Sequence, residues 1–174
     1  MNLRLVRLAK LAALVALAYV LKLPFLSVPN VEFFTYLCFV AGYLFSVWSG
    51  ALTAAVAMTL YSLFNPYGPA GPVLTVAKVL ATIVVGLAGG VAFRLKFVPR
   101  STLPSLIVAA LLGLILTLQF DLVTNLAIVA TTGQFWPVMA AAVPFAAIHL
   151  ASNTLLFLLF NPLLFRLARL EHRL

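Results

Sequence analysis

Charge is what this chain has least of. Only 8% of its residues are Asp, Glu, Lys or Arg, against roughly 25% in an ordinary soluble domain. With 65% of the residues hydrophobic, too little polar surface exists to wet a folded exterior, which excludes a soluble globular protein. Acidic residues number three: Glu32, Asp121 and Glu171. Paired-carboxylate catalysis has little to draw on. The one cysteine, Cys38, excludes a disulfide within the chain and reads as a small buried apolar residue. Neither G-x-S-x-G, nor H-E-x-x-H, nor a glycine-rich phosphate loop occurs. The chain is therefore expected not to be an enzyme and to need no cofactor. His149, Asp121 and Cys38 are metal-capable side chains, but their spacing is not that of a metal site, and no metal is expected.

What the chain does have is a series of long apolar runs. A membrane-spanning helix needs about 20 such residues, and the 174 residues hold six spans at 5–21, 33–47, 51–64, 73–93, 105–130 and 137–167. Pro24 and Pro29 break the chain after the first span, and Trp48-Ser49-Gly50 forms a tight turn after the second. Asn65-Pro66-Tyr67-Gly68-Pro69-Ala70-Gly71-Pro72 cannot continue a helix, because proline removes donors and glycine favours turns. Pro99 and Pro104 flank a basic loop after the fourth span. The sixth stretch is too long for one straight crossing and is expected to kink or divide at Pro144 or at Asn161-Pro162. The basic start followed by an apolar run resembles a signal peptide. Lys22-Leu23-Pro24-Phe25 is no cleavage site, so the first span reads as a retained helix.

The net charge of +8 is not spread evenly. Arg4, Arg7 and Lys10 form one basic cluster, Arg94, Lys96 and Arg100 a second, and Arg166, Arg169 and Arg173 a third. Only Lys22 and Lys78 fall outside them. No aromatic residues interleave a basic patch, so nucleic acid is excluded as a partner. Six crossings place all three clusters and both termini on one side, the cytoplasmic one. The expectation is an all-α integral membrane protein, a compact bundle of about six transmembrane helices with both termini cytoplasmic. It forms a single membrane domain over residues 1–174, multi-pass in the cell membrane and surrounded by lipid.

Polar residues inside such spans are costly and informative. Gln119, Asp121 and Asn125 lie in the fifth span, His149, Ser152 and Asn153 in the sixth. Asp121 with Asn125, and His149 with Asn153, are four residues apart and share a helix face. Lys78 stands near the start of the fourth span and Glu32 opens the second. Together they suggest a polar pocket near the outer surface, suited to a zwitterionic or hydrogen-bond-rich solute. The plainer reading is interhelical hydrogen bonding that fixes the bundle. In it Lys78 pairs with Asp121 or snorkels to the interface, and Glu32 only favours a helix start. Small residues make a further pattern. Ala9, Ala12, Ala13 and Ala16 in the first span, and Gly86 and Gly90 in the fourth, allow close helix approach, either within the bundle or to a partner membrane protein.

Several stretches carry a resemblance that composition alone does not. Val28-Pro29-Asn30-Val31-Glu32, Phe39-Val40-Ala41-Gly42-Tyr43 and Gly50-Ala51-Leu52 resemble the substrate-binding S components of energy-coupling factor (ECF) transporters. So do the run from Ser62 to Pro69, Phe120-Asp121-Leu122-Val123-Thr124-Asn125-Leu126, and the run from Pro144 to Asn153. The resemblance implies a six-helix bundle that binds a vitamin or related micronutrient near the outer face. It implies docking on an ECF transmembrane coupling protein carried by ATP-binding subunits, which hydrolyse the ATP. It also implies that an Ala-x-x-x-Ala motif, Ala9 with Ala13 or Ala12 with Ala16, contacts the coupling protein, and that loops 22–31 and 65–72 gate the pocket. Asn65 and Tyr67 join the candidate substrate contacts on that ground. No signature assigns riboflavin, thiamine, biotin or folate. The alternative kept open is a six-helix membrane scaffold of the rod-shape-determining MreD type.

Overall fold

Six helices and one short turn of 3-10 helix make up most of the computed structural model, which describes residues 3–25, 27–28 and 30–171. Pro29 and Arg173, named above, lie outside the described residues. The helices are α1 (Leu3–Val20), α2 (Phe34–Leu44), α3 (Val47–Leu63), α4 (Pro72–Arg94), α5 (Leu103–Thr132) and α6 (Phe135–Glu171), with the short turn at Leu23–Phe25. Leu3–Phe25, α4, α5 and α6 are long and apolar enough to cross a membrane, while α2 and α3 are shorter. At 1.5 Å per residue α2 rises only about 16 Å, roughly half of a hydrocarbon core.

α2 is short because it is the centre. All of its residues are buried, and it packs on α1, α3, α4, α5 and α6. A helix apolar all round is one with neighbours all round. Its two tyrosines find backbone acceptors: the Tyr36 hydroxyl donates to the Phe160 carbonyl at 2.9 Å, and that of Tyr43 to the Phe97 carbonyl. Around it, aromatic rings from α2 and α6 interlock, Tyr36 and Phe39 each meeting Phe157 at 5.2 Å between centroids.

α3 and α4 close on α2 through glycine. A Cβ added to Gly42 would strike the Gly86 carbonyl, and one added to Gly86 would strike that of Gly50. The turn between α2 and α3 therefore does not fall at Trp48-Ser49-Gly50, as expected from sequence. It falls at Phe45–Ser46, where the Ser46 Oγ caps α3 by accepting from the Ser49 N–H at 3.1 Å. Gly50 lies inside α3 as a contact point, not a breaker. α6 likewise is not divided. It runs unbroken through Pro144 and Pro162, about 55 Å by its residue count.

α1 is attached differently. Among the described residues it packs on α2, α3 and the short turn that follows it, and Ala18 is its one buried residue. Side chains tie it down. Arg7 donates to the Phe45 carbonyl and to the hydroxyls of Ser46 and Ser49, and the Tyr19 hydroxyl donates to the Phe64 carbonyl at 2.8 Å. An apolar groove of about 540 Å³ separates α1 from α6, with α2 as its floor.

The two ends of the bundle differ in chemistry. At one end Arg100 and Arg169 both lie over the Phe165 ring, and Asn161 donates to the Arg100 carbonyl at 2.7 Å, which gathers the second and third basic clusters. The sides expose leucines, valines and isoleucines such as Leu80, Val84, Leu111 and Ile115, as a lipid-facing surface requires.

Candidate functional site

The opposite end holds charges that are buried. Glu32 sits in the loop before α2. It accepts hydrogen bonds from the Phe34 N–H at 3.1 Å, the Thr35 N–H at 3.4 Å and the Thr35 hydroxyl at 2.7 Å, so it secures the start of that helix. On its other side, Glu32 Oε1 lies 3.3 Å from His149 Nε2, and Oε2 lies 3.6 Å from Lys22 Nζ. Burial by itself raises the Glu32 carboxyl. The charges of Lys22 and His149, with the hydrogen bonds from His149 and Thr35, outweigh burial and hold the group well below the usual carboxylate range.

His149 on α6 completes a chain across the end of the bundle. Its Nδ1 is 2.7 Å from Asp121 Oδ1 on α5, and its ring stands edge-on to Phe120, 5.8 Å between centroids. Asp121, His149, Glu32 and Lys22 thus run in sequence from α5 through α6 to the loop after α1. Lys22 ends it over the Tyr61 ring, 4.4 Å from the centroid. The loop is pinned onto α6 at Asn30, whose backbone takes a left-handed φ of 61°. The Asn30 side-chain amide donates to the Phe145 carbonyl at 2.9 Å, and the Ser152 hydroxyl donates to the Asn30 carbonyl at 2.9 Å.

This chain forms one wall of a cavity of about 500 Å³, within the range of small-molecule sites. Lys22, Glu32 and His149 border it with Lys78 of α4. Phe25, Met58, Tyr61, Tyr67 and Phe120 supply apolar and aromatic surface. Beyond Lys78 and Phe120 lies a smaller cavity of about 300 Å³, bordered by Asp121, Thr124 and Asn125.

Not all the residues singled out in the sequence meet here. Glu32, Asp121 and His149 are in direct contact, and Lys78 and Tyr67 border the same cavity as Glu32 and His149. Asn125 borders only the smaller cavity. Asn65 turns its loop, its Oδ1 accepting from the Tyr67 N–H at 2.9 Å. Asn153 is fully buried and borders neither cavity. Gln119 borders neither as well, its Oε1 enclosed without a hydrogen-bond partner. Cys38 lies inside α2. Lys78 forms no ion pair with Asp121, whose Oδ1 meets His149 instead. Sequence reasoning did not count Tyr61 or Phe120 among the site residues, and named Lys22 only as the start of the gating loop 22–31. Lys22 did carry a signal: with Lys78 it stands apart from every basic cluster. Ala9, Ala12, Ala13 and Ala16 are all exposed on α1.

Comparison with known proteins gives one finding. A family model described as the substrate-specific component of ECF transporters matches residues 6–164, nearly the whole chain. No curated protein and no solved structure matches it.

Proposed function

The chain belongs to the substrate-specific components of ECF transporters, and from that premise we propose that it is the substrate-binding subunit of an ECF-type ABC importer. It captures a vitamin or related small micronutrient at the outer face of the cell membrane and delivers it inward. The observation that carries this reading is the cavity bounded by Lys22, Glu32, His149 and Lys78. Charges within hydrocarbon are costly and are kept where they face a cavity or a partner. Here they face a cavity of solute size, at the end of the bundle away from the arginine clusters. By the distribution of basic residues that end faces outward.

The chain has no nucleotide-binding motif, so energy comes from partners: a transmembrane coupling protein and ATP-binding subunits. The exposed alanines of α1 support a docking role, since small residues let another helix approach closely. Family membership displaces the MreD-type scaffold as a reading.

Native mass spectrometry of the purified protein, with identification of what co-purifies, tests the proposal. A stoichiometric small metabolite is expected. Asp121→Asn and His149→Ala should each weaken its binding by about tenfold or more, the size of a lost charge-assisted hydrogen bond, with the folded yield retained. Equal loss of folded protein in both variants would make the buried chain a structural brace instead.

A further inference from the structure

Granted that the cavity binds a substrate, its charges do not balance. Asp121 and Glu32 present two carboxylate oxygens to the two nitrogens of one imidazole, at 2.7 and 3.3 Å. A ring nitrogen meets a carboxylate oxygen favourably only across a hydrogen, and neutral histidine has one N–H. One additional proton is therefore held in the set, on the ring or on a carboxyl. Wherever it sits, the three groups together carry a single negative charge. Lys22, 3.6 Å from Glu32, cancels it.

Lys78 is left over. It is half-buried on α4 and borders both cavities. Its ammonium is engaged in none of the hydrogen bonds or ion pairs of the described residues. No side-chain carboxylate remains to neutralise it. Of the three acidic residues in the chain, two are held by His149 and Lys22, and Glu171 pairs with Lys10 at 2.6 Å at the opposite end. The second oxygen of Asp121 is enclosed without a hydrogen-bond partner, and Asp121 borders the smaller cavity and not the larger one. A pocket so arranged has a cation to offer and no free anion.

We propose that the solute carries an anionic group, a carboxylate or a phosphate, that docks on the Lys78 ammonium, with Tyr61, Tyr67 and Phe120 against its apolar body. This narrows the zwitterionic or hydrogen-bond-rich solute expected from the sequence, since both acids that would hold a cationic end are already engaged. An unpaired ammonium in an apolar setting costs the empty protein stability, and the bound anion offsets that cost.

The test compares wild type, Lys78→Met and Lys78→Arg, purified as the full chain. Each is measured by calorimetry against matched probes: nicotinate with nicotinamide, pantothenate with panthenol, pyridoxal phosphate with pyridoxal. Each is also exposed to a whole-cell small-molecule extract, and what it retains is identified by mass spectrometry. Wild type should retain an anionic compound, or bind the anionic member of a pair about tenfold or more tightly than its neutral partner. Lys78→Met should fold at least as well as wild type yet lose that preference. Lys78→Arg should keep most of it. The pair that responds distinguishes carboxylate from phosphate. If a neutral compound is retained, or if Lys78→Met binds the anion unchanged, the inference falls and the substrate-binding role stands. If wild type binds no probe and retains nothing from the extract, the role itself falls and takes the inference with it.

Discussion

Where α4 meets α2 and α3, Gly42, Gly50 and Gly86 stand backbone against backbone, with no room for a Cβ on any of them. Along α1, Ala9, Ala12, Ala13 and Ala16 are exposed, left uncovered by the other described helices. Gly86, with Gly90, reads in sequence as those alanines do, as small residues spaced along an apolar helix. One set is consumed by the protein's own packing. The other is left over after the bundle has closed. In a membrane, where lipid tails are as apolar as leucine, association depends on close fit more than on hydrophobicity. Small residues therefore allow close approach, and the structure tells which of them are used internally.

The largest effect should come from the internal set. Gly86→Ala places a methyl group against the Gly50 carbonyl, and neither backbone has slack to give. Overpacking of this kind costs roughly 1–3 kcal/mol, occasionally more, and Gly86→Leu should yield no folded protein. Thermal unfolding and the fraction of monodisperse protein after purification report it. Gly113→Ala provides the scale. Its Cβ would lie 3.0 Å from the Asn153 carbonyl and 3.1 Å from the Phe157 side chain, a lesser conflict with a smaller loss. A Gly86→Ala protein as stable as wild type would mean that α4 can slide away from α3, and the contrast with α1 would dissolve.

Ala12→Leu and Ala13→Leu should do the reverse. On an exposed face their effect on stability should stay within about 0.5 kcal/mol, and solute binding should persist. Transport in a reconstituted importer should be abolished, because a leucine holds a partner helix away. Unchanged transport in both variants would remove α1 as the docking face.

The helices were legible in the sequence because apolar runs in so charge-poor a chain have few alternatives to spanning helices. Where the reading slipped, a residue had a second use. Gly50 looked like a breaker and is a packing contact. Ser46, unremarkable in sequence, is the cap that starts α3. Pro144 or Asn161-Pro162 was expected to kink or divide the last span, and of the two outcomes division is excluded, because α6 is continuous through both. In the site, Asp121 and His149 stood out by their rarity and by the helix faces they share with Asn125 and Asn153. Face alone does not give depth. Four residues advance about 6 Å along a helix, which takes Asn153 past the cavity into the contact between α5 and α6, where its backbone lies near Gly113. Lys22 was missed as a site residue because it follows α1 in a loop. Only the folded chain turns that loop back on itself, so that Lys22 meets Glu32 from its far end.

The smallest effect concerns the far end of α1. Lys10 Nζ reaches Glu171 Oε2 at 2.6 Å, and both residues border the groove between α1 and α6. Their side chains are 38% and 25% exposed, so water and salt screen the pair, and such bridges contribute at most about 1 kcal/mol. Lys10→Met or Glu171→Gln should therefore shift thermal unfolding only slightly, and less at high ionic strength. The double variant tests whether the effect belongs to the pair. If coupled, its loss should be smaller than the sum of the two single losses. A large loss, comparable to that of Gly86→Ala, would mean that α1 is locked to α6 by charge. A small one leaves α1 held by Arg7, Tyr19 and its seat on α2 and α3, with its alanine face free to meet another helix.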